Sequence, residues 1–246
     1  MFDEFFLIAL AVYFLAGTIK GTIGIGLPAT SISLLGQVYD PRVAIALAIM
    51  PIFFTNIWQI YRTGNVRQTL KSFWPFALAL AVVLWIFTGF SAQISTSSLI
   101  FVLGCVVVLF AFTSLFVKPP ELPRRYDRLA QVVAGSLSGV LGGLTAIWSP
   151  PMVVYLVSRR IEKDDFVRAS GVLLFIGSVP LLFGYWQNGL MTRDLAVMSM
   201  AMIVPTLLGF SVGEAIRRRM DATRFQKLIL FIFLLMGLNL IRRSFM

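Results

Sequence analysis

The sequence contains no histidine, one cysteine and only 11 acidic residues among its 246. Without histidine there is no His-built zinc site, no Ser-His-Asp triad and no His-bound haem. The lone cysteine, Cys105, sits inside an apolar run and excludes an intrachain disulfide. Charge is scarce: 13% of residues are charged against 58% hydrophobic, and the mean hydropathy is +0.87. That is too little charge to cover a water-soluble domain of this length. Asp3 and Glu4 stand where a signal peptide carries basic residues, and no small-x-small site follows the first apolar run, so no cleaved leader is expected. The formal net charge of +10 raises nucleic acid as a partner. The Lys and Arg residues mostly flank apolar runs, however, so membrane topology accounts for them and no nucleic-acid partner is expected. No motif calls for a cofactor or a metal.

What is present is a series of eight apolar segments, near residues 5–36, 42–61, 73–91, 98–117, 129–157, 167–186, 195–213 and 225–241. Six have the length of one bilayer crossing, roughly 20 residues. The first and fifth run to about 30 residues, roughly 45 Å as straight helices against a hydrocarbon core of about 30 Å. Both are also interrupted. The first contains Gly17, Gly21, Gly24 and Gly26 followed by Pro28; the fifth contains Gly135, Gly139, Gly142 and Gly143, then Trp148-Ser149-Pro150-Pro151. The spacing G-x3-G-x2-G recurs 118 residues on, Gly89-Phe90-Ser91 recurs 120 residues on as Gly209-Phe210-Ser211, and Arg42 and Arg168 each open the next segment. This is an internal repeat of four segments per half, with halves 1–118 and 119–246.

Loop charge sets the orientation. The loops after segments 2, 4, 5 and 7 are basic (Arg62, Arg67 and Lys71; Lys118, Arg124, Arg125 and Arg128; Arg159, Arg160, Lys163 and Arg168; Arg217, Arg218, Arg219, Arg224 and Lys227), whereas the loop after segment 3 has no charge and that after segment 6 only Arg193 with Asp194. Basic loops stay cytoplasmic. Both loops flanking segment 5 then fall on one side, which has that segment dip in and return, with Pro150-Pro151 marking the turn; acidic Glu162, Asp164 and Asp165 dilute the fifth loop, and a plain eight-span chain of kinked crossings with its C-terminus inside is the alternative. By the repeat, segment 1 does the same from the opposite face. The expected fold is an all-α integral membrane protein of two inverted repeats, each with one re-entrant broken segment and three transmembrane helices. Both termini fall outside, against the preference of Arg242 and Arg243.

Backbone broken at mid-membrane is costly unless it lines a cavity. A half-helix beginning there directs free N–H groups and partial positive charge into that cavity, a geometry suited to anions. Pro28 and Pro150 fit the first helical positions, with Ser149 as an N-cap. Lys20 lies deep in segment 1, where a cation is expensive and usually functional; its repeat mate is Ser138. Asn56, Gln59, Thr145, Trp148 and Ser149 are candidate hydrogen-bond donors to an oxyanion. The candidate binding set is therefore Lys20, Gly21, Gly24, Gly26, Pro28, Asn56, Gly139, Gly142, Gly143, Thr145, Trp148, Ser149 and Pro150, with Arg42 and Arg168 as gating or access residues. A plainer reading stands beside each: glycines for close helix packing, prolines for kinks, polar side chains for interhelical bonds, Lys20 snorkelling to an interface.

At these glycine motifs the chain resembles the sulfite exporter TauE/SafE family of membrane permeases, on Gly17, Gly21, Gly24, Gly26 and Pro28, and again on Gly135, Gly139, Gly142, Gly143, Pro150 and Pro151. It departs from the family pattern at Trp148-Ser149, where glycines precede the paired prolines, and at Leu27-Pro28, which cuts the first glycine run short. The resemblance implies export or permeation of sulfur-containing anions such as sulfite or organosulfonates, in a bacterial cell (inner) membrane. The residues by themselves reach only a small anion. A secondary transporter working by alternating access leads; a passive anion channel is the alternative. An intramembrane enzyme or assembly factor stands further off, since no histidine, paired carboxylates or exposed cysteine supply a reactive group. The expected partners are a small inorganic or organic anion and the lipid bilayer, and a homodimer is compatible with this design.

Overall fold

The computed structural model describes residues 4–116, 119–219 and 222–245; Asp3 and Lys118 lie outside them. All regular structure among the described residues is helical. In order, the helices are α1 Glu4–Ile23, α2 Leu27–Leu35, α3 Pro41–Thr63, α4 Val66–Gln93, α5 Thr96–Phe116, then a 3-10 turn at Arg124–Tyr126, α6 Asp127–Thr145, α7 Ser149–Ser158, α8 Lys163–Gln187, α9 Arg193–Ala201, α10 Ile203–Arg219 and α11 Ala222–Arg243. Among the described residues, six stretches are long and apolar enough to cross a bilayer: Glu4–Ile23, Pro41–Thr63, Val66–Gln93, Thr96–Phe116, Asp164–Gln187 and Arg193–Arg217. The protein is a multi-pass integral membrane protein. The set includes α1, an arm of the first broken segment, which was not among the expected single crossings.

Both long segments break where the sequence interrupts them. Gly24 and Gly26 take φ of 91° and 102°, a left-handed backbone that a side chain resists, and this ends α1 and starts α2. In the second break Ala146 carries φ 57° in place of a glycine. The turn there spans 146–148, so Pro150 and Pro151 sit inside the first turn of α7 rather than marking the reversal. Ser149 is the first helical residue, not the cap; Trp148 holds that position and no side chain caps the helix.

The ends of each broken segment come back together. Leu122 N donates to Ser158 O at 2.9 Å, and Arg159 pairs with Asp127 at 3.3 Å, so the start of α6 meets the end of α7. Likewise the Phe5 and Tyr39 rings meet edge-on at 4.4 Å, joining the start of α1 to the end of α2. Each segment is a helical hairpin with one long and one short arm.

The two hairpins occupy opposite ends of an antiparallel pair, α3 and α8. Arg168 near the start of α8 donates from Nε to Thr63 O at the end of α3. The Phe53 and Phe175 rings meet at a 45° tilt, centroids 5.3 Å apart, midway along the pair. Arg42, at the far end of α3, binds the α4–α5 turn through Ser91 O, Ile94 O and Thr96 Oγ1. The α6–α7 base lies at the Arg168 end and the α1–α2 base at the Arg42 end. Arg243 also sits at the Arg42 end, donating to Gly36 O at 2.6 Å, where its charge meets the negative C-terminus of α2.

The helices cross closely through glycine. α1 packs on α10 and α6 packs on α4. A Cβ built on Gly17 or Gly21 would fall 2.1 Å from the carbonyl oxygen of Thr206 or Phe210, and one on Gly209 or Gly213 would meet Phe14 O or Thr18 O at 2.0 and 2.1 Å. Gly135, Gly139 and Gly143 make the equivalent approach to Phe76, Val83 and Phe87 on α4. Without a hydrophobic drive between helices in lipid, such backbone contact is a main source of cohesion. Prolines interrupt α3 and α4, and neighbouring side chains bond carbonyls near each interruption. Pro51 leaves Leu47 O without its helical partner, and Ser199 Oγ donates to it at 2.8 Å. Phe73 leaves helical geometry two residues before Pro75, and Gln131 Nε2 donates to Ser72 O at 3.1 Å.

Candidate functional site

The two breaks meet at one small cavity. Its walls are Lys20, Gly26, Leu27 and Pro28 from the first hairpin, Trp148 and Ser149 from the second, Ile52 and Asn56 from α3, and Leu174 from α8. Its volume is about 10 Å³, space for roughly one water. It lies between Arg42 and Arg168 along the α3–α8 pair.

Lys20 is the central group. It occupies the last turn of α1, only 1% exposed. Nζ donates to Thr55 Oγ1 at 3.0 Å and to Asn56 Oδ1. The Thr55 hydroxyl donates to Pro51 O at 2.6 Å, which leaves its oxygen free to accept from the lysine. Both partners are neutral, and no carboxylate pairs with Lys20 among the described residues. The C-terminal carbonyls of α1 offset part of the charge, worth about 0.3–1 kcal/mol in exposed cases and up to roughly 2 when partly buried. A full charge removed from water needs more than that.

Further donors at the cavity are uncommitted. Asn56 Nδ2, Ser149 Oγ and Trp148 Nε1 are buried without a partner. The Trp148 indole is wedged between Gly142 and Gly177: a Cβ on either would lie 2.9 or 2.8 Å from its atoms. The helix starts supply less than their number suggests. Pro28, Pro150 and Pro151 carry no N–H, so the first turns contribute chiefly the amides of Leu27, Ala29 and Ser149. Side-chain donors therefore outweigh backbone amides, the reverse of what the broken helices alone imply.

Of the sequence-derived set, Lys20, Gly26, Pro28, Asn56, Trp148 and Ser149 line this cavity. Gly21, Gly139 and Gly143 face neighbouring helices, Gly142 makes room for Trp148, and Gly24 abuts Val167. Pro150 lines a separate apolar groove between α5, α6 and α7. The Thr145 hydroxyl is spent on its own backbone, donating to Leu141 O at 2.7 Å and accepting from Ile147 N at 3.3 Å. Gln59 donates to Val167 O at 2.9 Å, toward the Arg168 end. Leu27, Ile52 and Leu174 were not anticipated; as ordinary apolar residues in apolar helices they carry no distinguishing signal. No group of three metal-binding side chains occurs among the described residues.

The sequence model of a family described as Sulfite exporter TauE/SafE matches residues 9–240. No curated protein and no solved structure matches the chain.

Proposed function

Because the chain belongs to the sulfite exporter TauE/SafE family, we propose that it is a secondary transporter of small, sulfur-containing anions such as sulfite or an organosulfonate, binding them at the Lys20 cavity and working by alternating access. One observation carries this reading: a buried ammonium with only neutral partners, beside unspent donors from Asn56, Ser149 and Trp148. An oxyanion supplies both the missing countercharge and the missing acceptors. The family description is what favours sulfur chemistry; the cavity itself asks only for a compact anion.

An oxyanion is larger than the present cavity, so loading requires the hairpin tips to part. Arg42 and Arg168, at opposite ends of α3 and α8, are placed to act at the two mouths. The repeat reading has the halves 1–118 and 119–246 inverted, one hairpin dipping from each face. It is supported by the reciprocal packing, in which α1 leans on α10 as α6 leans on α4, and α11 joins α2 as α5 joins α7. The basic end, with Arg62, Arg159, Arg168 and Arg217, is then cytoplasmic.

The test is counterflow of labelled sulfite in proteoliposomes, preceded by a thermal-shift screen against sulfite, sulfate, thiosulfate, sulfonates and carboxylates. Saturable exchange that unlabelled sulfite accelerates is the expected result. Electrogenic, non-saturating flux would replace the carrier with a channel, and no flux or binding of any anion would end the transport reading.

A further inference from the structure

A second cavity, about 180 Å³, opens at the Arg168 end of the α3–α8 pair. Gln68, Thr69 and Ser72 line it from α4, Arg159 from the turn after α7, and Asp165 and Arg168 from α8. We infer that this cavity is a second anion-binding site, a staging position for the same class of small oxyanion on its way to or from the buried cavity.

Its guanidiniums are fixed in place yet under-used. Arg159 spends Nη1 on Asp127 Oδ2 and Tyr155 Oη, both at 3.3 Å, and rests over the Phe73 ring at 5.3 Å. Tyr155 in turn donates to Asp127 Oδ1 at 3.0 Å, so the arginine stands in a braced frame. Among the described residues its Nε and Nη2 have no partner. Arg168 spends Nε on Thr63 O at 3.3 Å and Nη1 on Asp165, leaving Nη2. The Ser72 hydroxyl and the Gln68 amide make no bond to any described residue. Planar forks with spare donors beside a hydroxyl and an amide are the chemistry that recognises oxyanions.

Each guanidinium already has a carboxylate: Asp127, 24% exposed, braces Arg159, and Asp165, 56% exposed, holds Arg168, so Asp165 is the one that can yield its place. An anion that displaces Asp165 from Arg168 releases that carboxylate to water and leaves no charge stranded. Beside Arg168, Gln59 donates to Val167 O at 2.9 Å and keeps Oε1 unpartnered among the described residues, and the tip of the first hairpin at Gly24 packs against Val167.

The staging role rests on the transport reading, but the binding does not. Calorimetric titration of the detergent-solubilised full chain with sulfite tests it directly. Wild type is expected to show two sites. Lys20→Met should weaken one about 10- to 100-fold and keep the other, and Arg168→Gln should weaken the kept site about tenfold. The double variant Gln68→Ala/Ser72→Ala, which breaks no side-chain bond to any described residue, should weaken it as well, so a folding defect in Arg168→Gln cannot mask the answer. A single wild-type site weakened by Lys20→Met, or a second site indifferent to both sets of variants, overturns the inference and leaves the transport reading intact. Two sites with no counterflow would sink the transport reading alone.

Discussion

Replacing Lys20 by Met separates an anion site from a structural lysine, because the two roles move stability and binding in different directions. Hydrogen bonds to a charged group contribute roughly 1.5–3 kcal/mol. Loss of one such bond to the bound anion, at about 1.4 kcal/mol per decade, lowers affinity about 10- to 100-fold. Stability of the anion-free protein follows another balance. Met keeps the volume and removes a buried ammonium that no carboxylate compensates, which is favourable. It also strips Asn56 Oδ1 of its donor, a loss of about 1–3 kcal/mol. The two roughly offset, so the melting temperature without anion should stay within a few degrees of wild type. Sulfite-dependent thermal shifts and titration give the affinity, and size-exclusion monodispersity reports folding. Affinity within about threefold of wild type in a well-folded Lys20→Met protein would refute the assignment. So would a collapse in stability with binding preserved among the surviving molecules, since that pattern belongs to a purely structural lysine.

Three other perturbations test the frame around the site. Gly17→Ala drives a methyl to 2.1 Å from Thr206 O and should destabilise the protein by about 1–3 kcal/mol, whereas Gly89→Ala, whose Cβ would lie 4.0 Å from Asn188 Oδ1, should be near neutral; thermal melts of the pair decide it. Ser199→Ala leaves the Leu47 carbonyl at the Pro51 bend without its donor, with an expected loss of about 1–3 kcal/mol by the same assay. In a Cys105→Ser background, single cysteines at Glu121 and Arg160 should react with an impermeant maleimide from one face of oriented vesicles, and one at Tyr39 from the other. Labelling of Glu121 and Arg160 from opposite faces would remove the second hairpin.

The two breaks and the buried lysine that frame the candidate cavity could be read from sequence because their signals are local. Segments too long to cross once, broken by glycine, and a lysine deep in an apolar run all survive without a fold. The role of the glycines could not be read. Gly17 and Gly21 stand one helical turn apart, which suits a packing seam and a cavity wall equally, since both ask for a missing side chain; only the presence of Gly209 and Gly213 opposite them decides for the seam. Gly24 and Gly26 differ because their positive φ makes them the break itself. Thr145 drew attention as a polar residue near a break, yet its hydroxyl serves the turn, a choice fixed by a carbonyl four residues earlier. The Asp127–Tyr155–Arg159 frame joins residues 28 and 32 apart across a hairpin, and no periodicity in one helix brings them together.

The glycine seams have a mechanical consequence. The longest arm of the first hairpin is fastened, carbonyl against Cα, to a helix encoded in the second half of the gene, and the second hairpin is fastened to a helix of the first half. Cutting the chain near residue 118 would therefore not liberate two self-sufficient pieces; each would carry off a clasp whose other half stayed behind. Under the proposed alternating-access cycle, a hairpin would move together with its borrowed partner helix, so the moving bodies would not coincide with the proposed halves 1–118 and 119–246.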